Sequence, residues 1–314
     1  MYKKHPFRKV VIWGHKPHAA KSLLHTSVRR HTHSYIHEGF FRAFQFLGFE
    51  THWLDDHSPV EGFNFTDCLF LSEDQVDNRI PLDQKATYVI HHSSKSKYDD
   101  LGARLLHLNN FTTEIRNKQS PVFGGPSLEA LDDVTYFDSN SRRLFQPWAT
   151  DLLPPEIDPR ILIPFNSEVT NVNYVGTFKH DNLSAEVSKF KGAIRHSGRK
   201  FRVFSAVDNI TSRHLVENSF ISIDLRGDWH QEVGYIPCRI WKSLSYGKFI
   251  GSNSMKLKEI FGQRVAFAKT EDLFSTTKLA YSQLSREDMS ETVAWIRQHH
   301  TFVNRASRIL DCLE

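Results

Sequence analysis

Residues 9–13 (KVVIW) and residues 34–54 (SYIHEGFFRAFQFLGFETHWL) contain the pattern that decides the fold class. The first segment is a short apolar run, typical of a buried strand. In the second segment apolar side chains recur at helical spacing, at Tyr35, Ile36, Phe40, Phe41, Phe44 and Leu47. Gly48 is placed to end this helix, and residues 49–54 return to a strand pattern. Strand, helix and strand in this order predict a parallel sheet with a right-handed crossover.

The same alternation continues through most of the chain. Further strands are predicted at residues 68–71, 87–90, 134–137, 171–175, 201–204, 220–225, 248–250 and 265–268. Helices are predicted at residues 237–246, 255–261, 272–284, 286–299 and 300–313. Between these halves five prolines follow one another closely: Pro147, Pro154, Pro155, Pro159 and Pro164. Because proline interrupts both helices and central strands, this segment is predicted to be an extended linker, with a domain boundary near Phe165.

Composition restricts the class of protein. The chain has 314 residues, 39% of them hydrophobic, which excludes a wholly disordered chain. Lys and Arg number 40 and Asp and Glu 36, so the formal charge is +4, which permits an anionic ligand without requiring one. The three cysteines, Cys68, Cys238 and Cys312, are too few for a disulfide framework or a cysteine zinc site. No apolar run approaches the ~18 residues that cross a bilayer, and residues 10–13 are too short for a signal-peptide core. We therefore expect a soluble cytoplasmic protein.

Three loops in the second half carry the chemistry that the ends of parallel strands usually display. The first follows the strand at 171–175 and contains Gly176, Thr177 and Lys179. The second contains Arg226 and Gly227, and the third leads through Pro237 into a helix whose first turn holds Arg239. Backbone N–H groups at a helix start, with an arginine beside them, favour a bound phosphate. A plain structural turn at Gly176, and an Arg239 that projects into solvent, remain the alternatives.

Residues 219–228 (SFISIDLRGD) and 239–250 (RIWKSLSYGKFI) together resemble the donor-site signature of GT-B glycosyltransferases. In that signature a strand ending near Arg-Gly precedes a helix of the form Arg-x-x-Glu-Ala-Leu-x-x-Gly. Exostosin-type enzymes, spore-protein-like glycosyltransferases and phage DNA β-glucosyltransferases are similar to it. Residues 176–179, 300–306 and 145–151 resemble further family segments in the expected order. The resemblance covers the second half well and the first half by architecture alone.

The resemblance implies a GT-B fold of class α/β, with two Rossmann-like domains whose parallel sheets face each other across a cleft. Residues 1–165 would form the acceptor domain and residues 166–298 the nucleotide-sugar donor domain. Residues 299–314 would form a terminal helix that packs back on the first domain. The implied activity is that of a metal-independent hexosyl- or pentosyltransferase, with no cofactor and a UDP-sugar as the favoured donor. The acceptor stays open between a glycan, a small molecule and DNA.

The family pattern also implies roles for individual residues. Arg239 would pair with the donor diphosphate, Lys179, Thr177 and Gly176 would flank it, and Arg226 with Gly227 would help to close the pocket. One position departs from the family, which has glutamate where this chain has Lys242. Because lysine cannot accept a hydrogen bond, the ribose would be held by Asp224 or Asp228, or the donor nucleotide is unusual.

The first half would supply the general base that takes the proton of the acceptor hydroxyl. Glu38 and His37 stand near the start of the predicted helix, and His91 and His92 follow the strand at 87–90, with His92 the favoured base of the two. A histidine cluster, His25, His31, His33 and His37, precedes or opens this helix. No carboxylate or cysteine joins it at a metallohydrolase spacing, so we expect no metal site. We expect the histidines to form a basic loop with Lys21, Arg29 and Arg30, which either contacts an acceptor or is merely solvated.

Two other classes of function fit the same sequence. A nucleotide-sugar epimerase would keep the architecture and consume the donor without an acceptor. A nucleic-acid-binding or other non-catalytic protein would keep the fold alone, although no nucleic-acid motif is present. A DNA acceptor, as for the phage enzymes that the chain resembles, would make binding strongly salt-dependent.

Overall fold

The computed structural model describes residues 5–16, 32–91, 96–112, 130–154, 169–177, 183–205 and 207–314, with the side chains of Thr32, Ser96 and Glu259 excepted. The chain divides into two units. Unit 1 comprises Met1–Asn110, Thr135–Gln146 and Phe302–Glu314, and unit 2 comprises Phe111–Val134 and Pro147–Thr301. The predicted boundary near Phe165 lies outside the described residues.

Unit 1 is organised around one sheet. Its strands are β1 (Lys9–Trp13), β2 (Glu50–Leu54), β3 (Cys68–Glu73), β4 (Thr87–His91), β5 (Arg104–Asn109), β6 (Tyr136–Asp138) and β7 (Arg143–Phe145). They lie in the order β2-β1-β3-β4-β5-β7-β6, and every neighbouring pair is parallel except β6 with β7. Every residue of β3 and β4 is buried, as expected for central parallel strands covered on both faces. The sheet is extended in opposite directions from β1, so the carboxyl ends of β1 and β3 mark the point where ligands of such sheets usually bind.

Two helices of unit 1 pack closely on each other. They are α1 (Thr32–Phe46) and the last helix of the chain, Phe302–Leu313. The Phe302 ring lies 5.0 Å from the Phe40 ring, centroid to centroid. A Cβ at Gly39 would lie 2.3 Å from a ring carbon of Phe302, so only glycine fits at this crossing. The end of the chain is therefore part of the core of unit 1.

Unit 2 repeats the parallel arrangement with shorter strands. They are β8 (Asn171–Val175), β9 (Lys200–Phe204), β10 (Ser222–Asp224), β11 (Ile250–Ser252) and β12 (Val265–Phe267). β8 pairs with β9, and β10, β11 and β12 form a second parallel set. The Phe220 amide donates to the Asn171 carbonyl at 2.8 Å, which places the start of β10 beside β8. The resulting order, β9-β8-β10-β11-β12, matches the first five strands of the sheet in unit 1.

The helices of unit 2 follow its strands and cover them. They are α2 (Leu183–Ile194), α3 (Asn209–Glu217), α4 (Asp228–Val233), α5 (Cys238–Ser245), α6 (Lys258–Phe261), α7 (Thr270–Gln283) and α8 (Arg286–His299), so the last helix of the chain is α9. Local capping explains several of their boundaries. The Asp208 side chain accepts from the Thr211 amide at the start of α3, and Ser285 with Asp288 forms a reciprocal capping box on α8.

The predicted mixed α/β class with a mostly parallel sheet is confirmed, and the strands at 9–13 and 171–175 have the predicted bounds. β5 and β7 were not predicted, because Arg104, His107 and Asn109 interrupt the apolar pattern of β5. The strand predicted at 248–250 begins two residues later, at Ile250. The reason is that residues 247 and 248 still belong to the end of α5: Gly247 adopts φ +74°, and the Lys248 amide donates to the Ser243 carbonyl. In the part of the chain that the structure describes, no helix is long and apolar enough to cross a membrane.

Candidate functional sites

The loops predicted to carry the chemistry of unit 2 come together at the carboxyl ends of β8 and β10. Gly176 follows β8 directly, and Asp224 is the last residue of β10. Arg226 lies two residues after Asp224, and Arg239 is the second residue of α5, after the N-cap Pro237. We call Gly176, Asp224, Arg226 and Arg239 the arginine site.

Asp224 is the centre of the arginine site, because both guanidinium groups pair with its carboxylate. Arg226 donates to it through Nε, 2.9 Å from Oδ2, and through Nη2 to Oδ1. Arg239 Nη1 donates to the same Oδ1 at 2.9 Å, and the partner residue across the sheet, Ser252, donates through Oγ to Oδ2 at 3.0 Å. The carboxylate therefore has both oxygens engaged, which leaves it poorly suited to hold a ribose.

The charges of the arginine site do not cancel. Burial, the largest influence, raises the pKa of Asp224, but the guanidinium groups of Arg226 and Arg239 outweigh it and hold that pKa below its usual value. Asp224 and Arg226 are buried, whereas the side chain of Arg239 is 15% exposed. Two guanidinium charges against one carboxylate leave a net charge of +1. A surplus positive charge at partly buried strand ends favours an anionic ligand.

Arg239 is held in one orientation by three separate contacts. Besides its pair with Asp224, its Nε donates to the Val175 carbonyl at 2.8 Å, and its guanidinium lies 4.1 Å from the centroid of the Tyr174 ring. Gly176 has φ +157°, and a Cβ there would lie 2.0 Å from Arg239 Nη2. Glycine is thus required at 176 because the arginine occupies the space of a side chain. Arg239 does not simply project into solvent.

Asn253 supports the backbone of the arginine site, and sequence reasoning missed it. Its Oδ1 accepts from the Arg226 amide at 2.7 Å, and its Nδ2 donates to the Arg226 carbonyl at 3.0 Å and to Thr270 Oγ1 at 3.1 Å. A single amide side chain therefore satisfies both backbone groups of Arg226. Gly227 follows as the N-cap of α4.

The remaining predicted donor residues lie in different surroundings. Lys242 is buried on α5, donates to Asn209 Oδ1 at 2.8 Å, and lies 3.6 Å from Asp151 Oδ2. Thr177 is exposed beside Gly176. Lys179 lies outside the described residues. Asp228, the other candidate for the ribose, is exposed at the start of α4.

A second group of polar residues lies at the carboxyl ends of the central strands of unit 1. Glu73 ends β3 and is paired in register with His91, which ends β4. His15 follows β1, and His33 lies in the first turn of α1. We call His15, His33, Glu73 and His91 the histidine–glutamate cluster.

The imidazoles of this cluster converge on one buried carboxylate. His15 Nε2 lies 3.0 Å from Glu73 Oε1, His33 Nδ1 is in contact with Glu73 Oε2, and His91 Nδ1 lies 4.0 Å from the same oxygen. Glu73 is 3% exposed. Burial is the largest influence on the pKa of Glu73 and raises it, but the three imidazoles together outweigh it and hold that pKa far below its usual range. Glu73 is therefore a carboxylate and not a carboxylic acid.

His37 borders the cluster without contacting the carboxylate as closely. Its ring lies nearly parallel to that of His15, with centroids 5.9 Å apart, and it packs against Gly14, where a Cβ would lie 2.6 Å from His37 Cε1. Burial lowers the pKa of His37 to about 3. The imidazole is therefore neutral at physiological pH and accepts a proton only weakly.

The predicted bases and the predicted histidine loop are only partly within the described residues. Glu38 is half-buried on α1, next to His37. His92, His25, His31, Lys21, Arg29 and Arg30 lie outside the described residues. Sequence reasoning found His33 and His37 and placed His91 at the end of a strand, but it missed His15 and Glu73. The available signal was that His15 and Glu73 each follow a predicted strand closely.

Comparisons with known proteins do not identify the chain. No family model matches it, and no curated protein matches it. Among solved structures, a glycotransferase of kitacinnamycin is 9% identical, with 99% of this chain and 100% of that chain covered and a TM-score of 0.46. A conserved domain protein from Vibrio cholerae O1 biovar El Tor strain N16961 is 10% identical, with 91% and 88% covered and a TM-score of 0.24. TM-scores below 0.5 do not establish a common fold, so the two sites themselves are the basis for a function.

Proposed function

We propose that the chain is a glycosyltransferase of GT-B architecture that transfers a sugar from a nucleotide-sugar donor, favoured as a UDP-sugar, to an acceptor hydroxyl. The observation that carries the proposal is the arginine site: a guanidinium held at the carboxyl ends of parallel strands, in a group with a net charge of +1. The resemblance of residues 219–228 and 239–250 to GT-B donor sites supports the same reaction.

Arg239 is the residue that binds the donor diphosphate in this proposal. Because Asp224, the Val175 carbonyl and the Tyr174 ring already fix its guanidinium, little side-chain entropy is lost when an anion binds. The start of α5 adds the N–H groups of a first helical turn, whose partial positive charge attracts an anion. Gly176, Thr177 and Lys179 flank the phosphates from the loop after β8.

Arg226 acts on the donor through Asp224, as a positioning residue. It is buried and directs its guanidinium to that carboxylate, which in turn orients Arg239. Cations of this kind stabilise the nucleoside diphosphate as it leaves, so the reaction needs no metal ion at the donor. With Asp224 engaged and Lys242 unable to accept a hydrogen bond, Asp228 is the carboxylate that would bind the ribose.

The general base in this proposal is Glu38, His92 or His37. His37 is a weak proton acceptor, because burial lowers its pKa to about 3 while an effective base has a pKa near the working pH. The acceptor would be a glycan, a small molecule or DNA.

Donor binding is tested by titration calorimetry and thermal shift with UDP, GDP and CDP, on the wild-type chain and on Arg239→Gln. Arg202→Gln is the control, since it removes an exposed arginine of the same unit from β9. We expect UDP to bind the wild type and the control equally and to bind Arg239→Gln about 10 to 100-fold more weakly, the effect of losing a charged hydrogen bond of about 1.5–3 kcal/mol. Equal binding to a folded Arg239→Gln would refute the site.

Turnover is tested separately with UDP-sugars. Release of UDP that depends on an added acceptor supports transfer. Consumption of the UDP-sugar with no acceptor and no free UDP would instead indicate the epimerase reaction.

A further inference from the structure

We propose that His15, His33 and Glu73 bind a divalent transition-metal ion in unit 1. The proposal goes beyond donor binding, which takes place in unit 2 and uses no metal. The two imidazole nitrogens and one carboxylate oxygen that would bind the ion all lie within 4.8 Å of one another. Ligand atoms on a tetrahedral zinc ion, with bonds of about 2.1 Å, lie about 3.4 Å apart, so small side-chain rotations bring the three to bonding distance.

The three ligands come from three parts of the fold that meet at the point where the sheet changes direction. His15 follows β1, Glu73 ends the neighbouring strand β3, and His33 opens α1. Both strands are buried and hydrogen-bonded to neighbours on either side, so they hold His15 and Glu73 rigidly. Rigid placement of this kind is what a metal site needs from its scaffold.

The position of Glu73 suits a metal ligand. Its Oε1 is buried, and the His15 Nε2 nitrogen lies 3.0 Å from it. A buried carboxylate is stable only when it is paired with a cation or coordinates a metal. The two imidazole nitrogens and the carboxylate oxygen therefore converge as ligands do around a common ion.

The ligand types indicate which metal would bind. Two imidazoles and one carboxylate are ligands for Zn²⁺ or Fe²⁺, whereas Mg²⁺ and Ca²⁺ prefer oxygen alone. Three protein ligands leave at least one coordination position for water or substrate. His91, with Nδ1 4.0 Å from Glu73 Oε2, lies outside the three ligands and would orient the carboxylate.

The sequence-based expectation of no metal rested on the histidines of the loop before α1 and on the absence of a carboxylate at a suitable spacing. Glu73 satisfies that requirement through the fold, because parallel pairing of β3 with β1 brings it beside His15.

Zinc binding to the full chain tests the proposal. The purified protein is treated with a chelator, dialysed, and titrated with Zn²⁺ by calorimetry, and bound metal is counted by mass spectrometry. We expect one tightly bound Zn²⁺ per chain. Substitution with Co²⁺ should give the visible absorption bands of an ion with nitrogen and oxygen ligands. A wild-type chain that binds neither ion at one per chain overturns the proposal, whatever the variants do.

Variants then locate the ion. Glu73→Gln and His33→Gln should each weaken Zn²⁺ binding by more than about tenfold, and His91→Gln by less than either. His52→Gln is the matched control, because His52 also lies 2.9 Å from a glutamate, Glu50, but on the partly exposed strand β2 at the edge of the sheet. Zn²⁺ bound with unchanged affinity in a folded Glu73→Gln, or lost in His52→Gln, would place the ion elsewhere and contradict the assignment.

Discussion

Substitution of Gly176 by alanine is the most direct test of the arginine site. The residue has φ +157°, which L side chains rarely adopt, and the new Cβ would lie 2.0 Å from Arg239 Nη2. The guanidinium has to move, and with it the hydrogen bonds of 2.9 Å to Asp224 and 2.8 Å to the Val175 carbonyl. The substitution therefore combines a backbone penalty with the loss of charged contacts.

The size of the effect follows from these two parts. Alanine at a strained positive φ costs about 1–2 kcal/mol. Loss of a hydrogen bond to a charged group costs about 1.5–3 kcal/mol more. We expect Gly176→Ala to lower the free energy of unfolding of unit 2 by about 2.5–5 kcal/mol. If Arg239 binds the diphosphate as proposed, the same substitution should weaken UDP binding about 10 to 100-fold, as Arg239→Gln does, because it displaces that guanidinium.

A matched glycine separates the two parts. Gly198 also has a positive φ, +74°, but a Cβ there would meet nothing within 4 Å. Gly198→Ala should therefore cost only the backbone penalty of about 1–2 kcal/mol and leave UDP binding unchanged. Urea denaturation measures both variants, with circular dichroism to confirm that each folds.

A double-mutant cycle with Arg239→Ala completes the test. When the guanidinium is absent, Gly176→Ala should cost no more than Gly198→Ala, because nothing remains for the new methyl group to displace. The reasoning is refuted if Gly176→Ala and Gly198→Ala cost the same in the wild-type background, or if Gly176→Ala keeps full affinity for UDP.

Three further predictions concern stability. Burial lowers the pKa of Lys248 from 10.5 to about 8, so the unfolded chain binds more protons than the folded one between these values and wild-type stability should rise from about pH 8 to pH 10.5. Lys248→Met should remove this rise and increase the free energy of unfolding by about 3 kcal/mol at pH 7, whereas Lys200→Met, at an exposed position, should do neither. Urea denaturation at pH 7 and pH 10 measures both variants. The prediction is wrong if the stability of wild type and of Lys248→Met changes equally between the two pH values. Asp224→Asn should lower the free energy of unfolding by about 3–5 kcal/mol in the same assay, because Arg226 and Arg239 are left without their carboxylate. Asp208→Asn, at an exposed helix cap, should lower it by less than about 1 kcal/mol. Equal losses in the two variants would speak against the ion pairs. Gly39→Ala should lower the free energy of unfolding by about 1–3 kcal/mol, because its Cβ would lie 2.3 Å from the Phe302 ring. Gly192→Ala, in α2 with open space around it, should be neutral or stabilising. A Gly39→Ala variant as stable as the wild type would show that α1 and α9 can separate without cost.

The arginine site was partly visible in the sequence because its loops follow predictable strands. Gly176 and Arg239 could be assigned to the same sheet edge from apolar runs and a proline at a helix start. The role of Asp224 could not, since a carboxylate that ends a strand gives no sign of whether it binds ligand or balances two arginines. Asn253 was missed for a similar reason: it reaches Arg226 only because β11 lies beside β10.

The histidine–glutamate cluster could not be predicted as a group from the sequence. His33 and His37 were visible as a pair one helical turn apart, yet the group that converges on Glu73 was not. Its members come from β1, α1, β3 and β4, and no spacing along the chain relates them. Only the strand order, with β3 and β4 on the same side of β1, brings Glu73 beside His15 and His91.

The amino-acid sequence by itself determined the alternation of strands and helices and the mostly parallel sheet, because these depend on local hydrophobic periods and on turn residues such as Gly48. The tertiary structure alone decided which polar residues share a site. Such contacts join segments far apart in the chain, and they follow from strand order and side-chain packing, which local patterns do not encode. The two groups around Asp224 and Glu73 are therefore properties of the fold, each made from residues that the sequence presents separately.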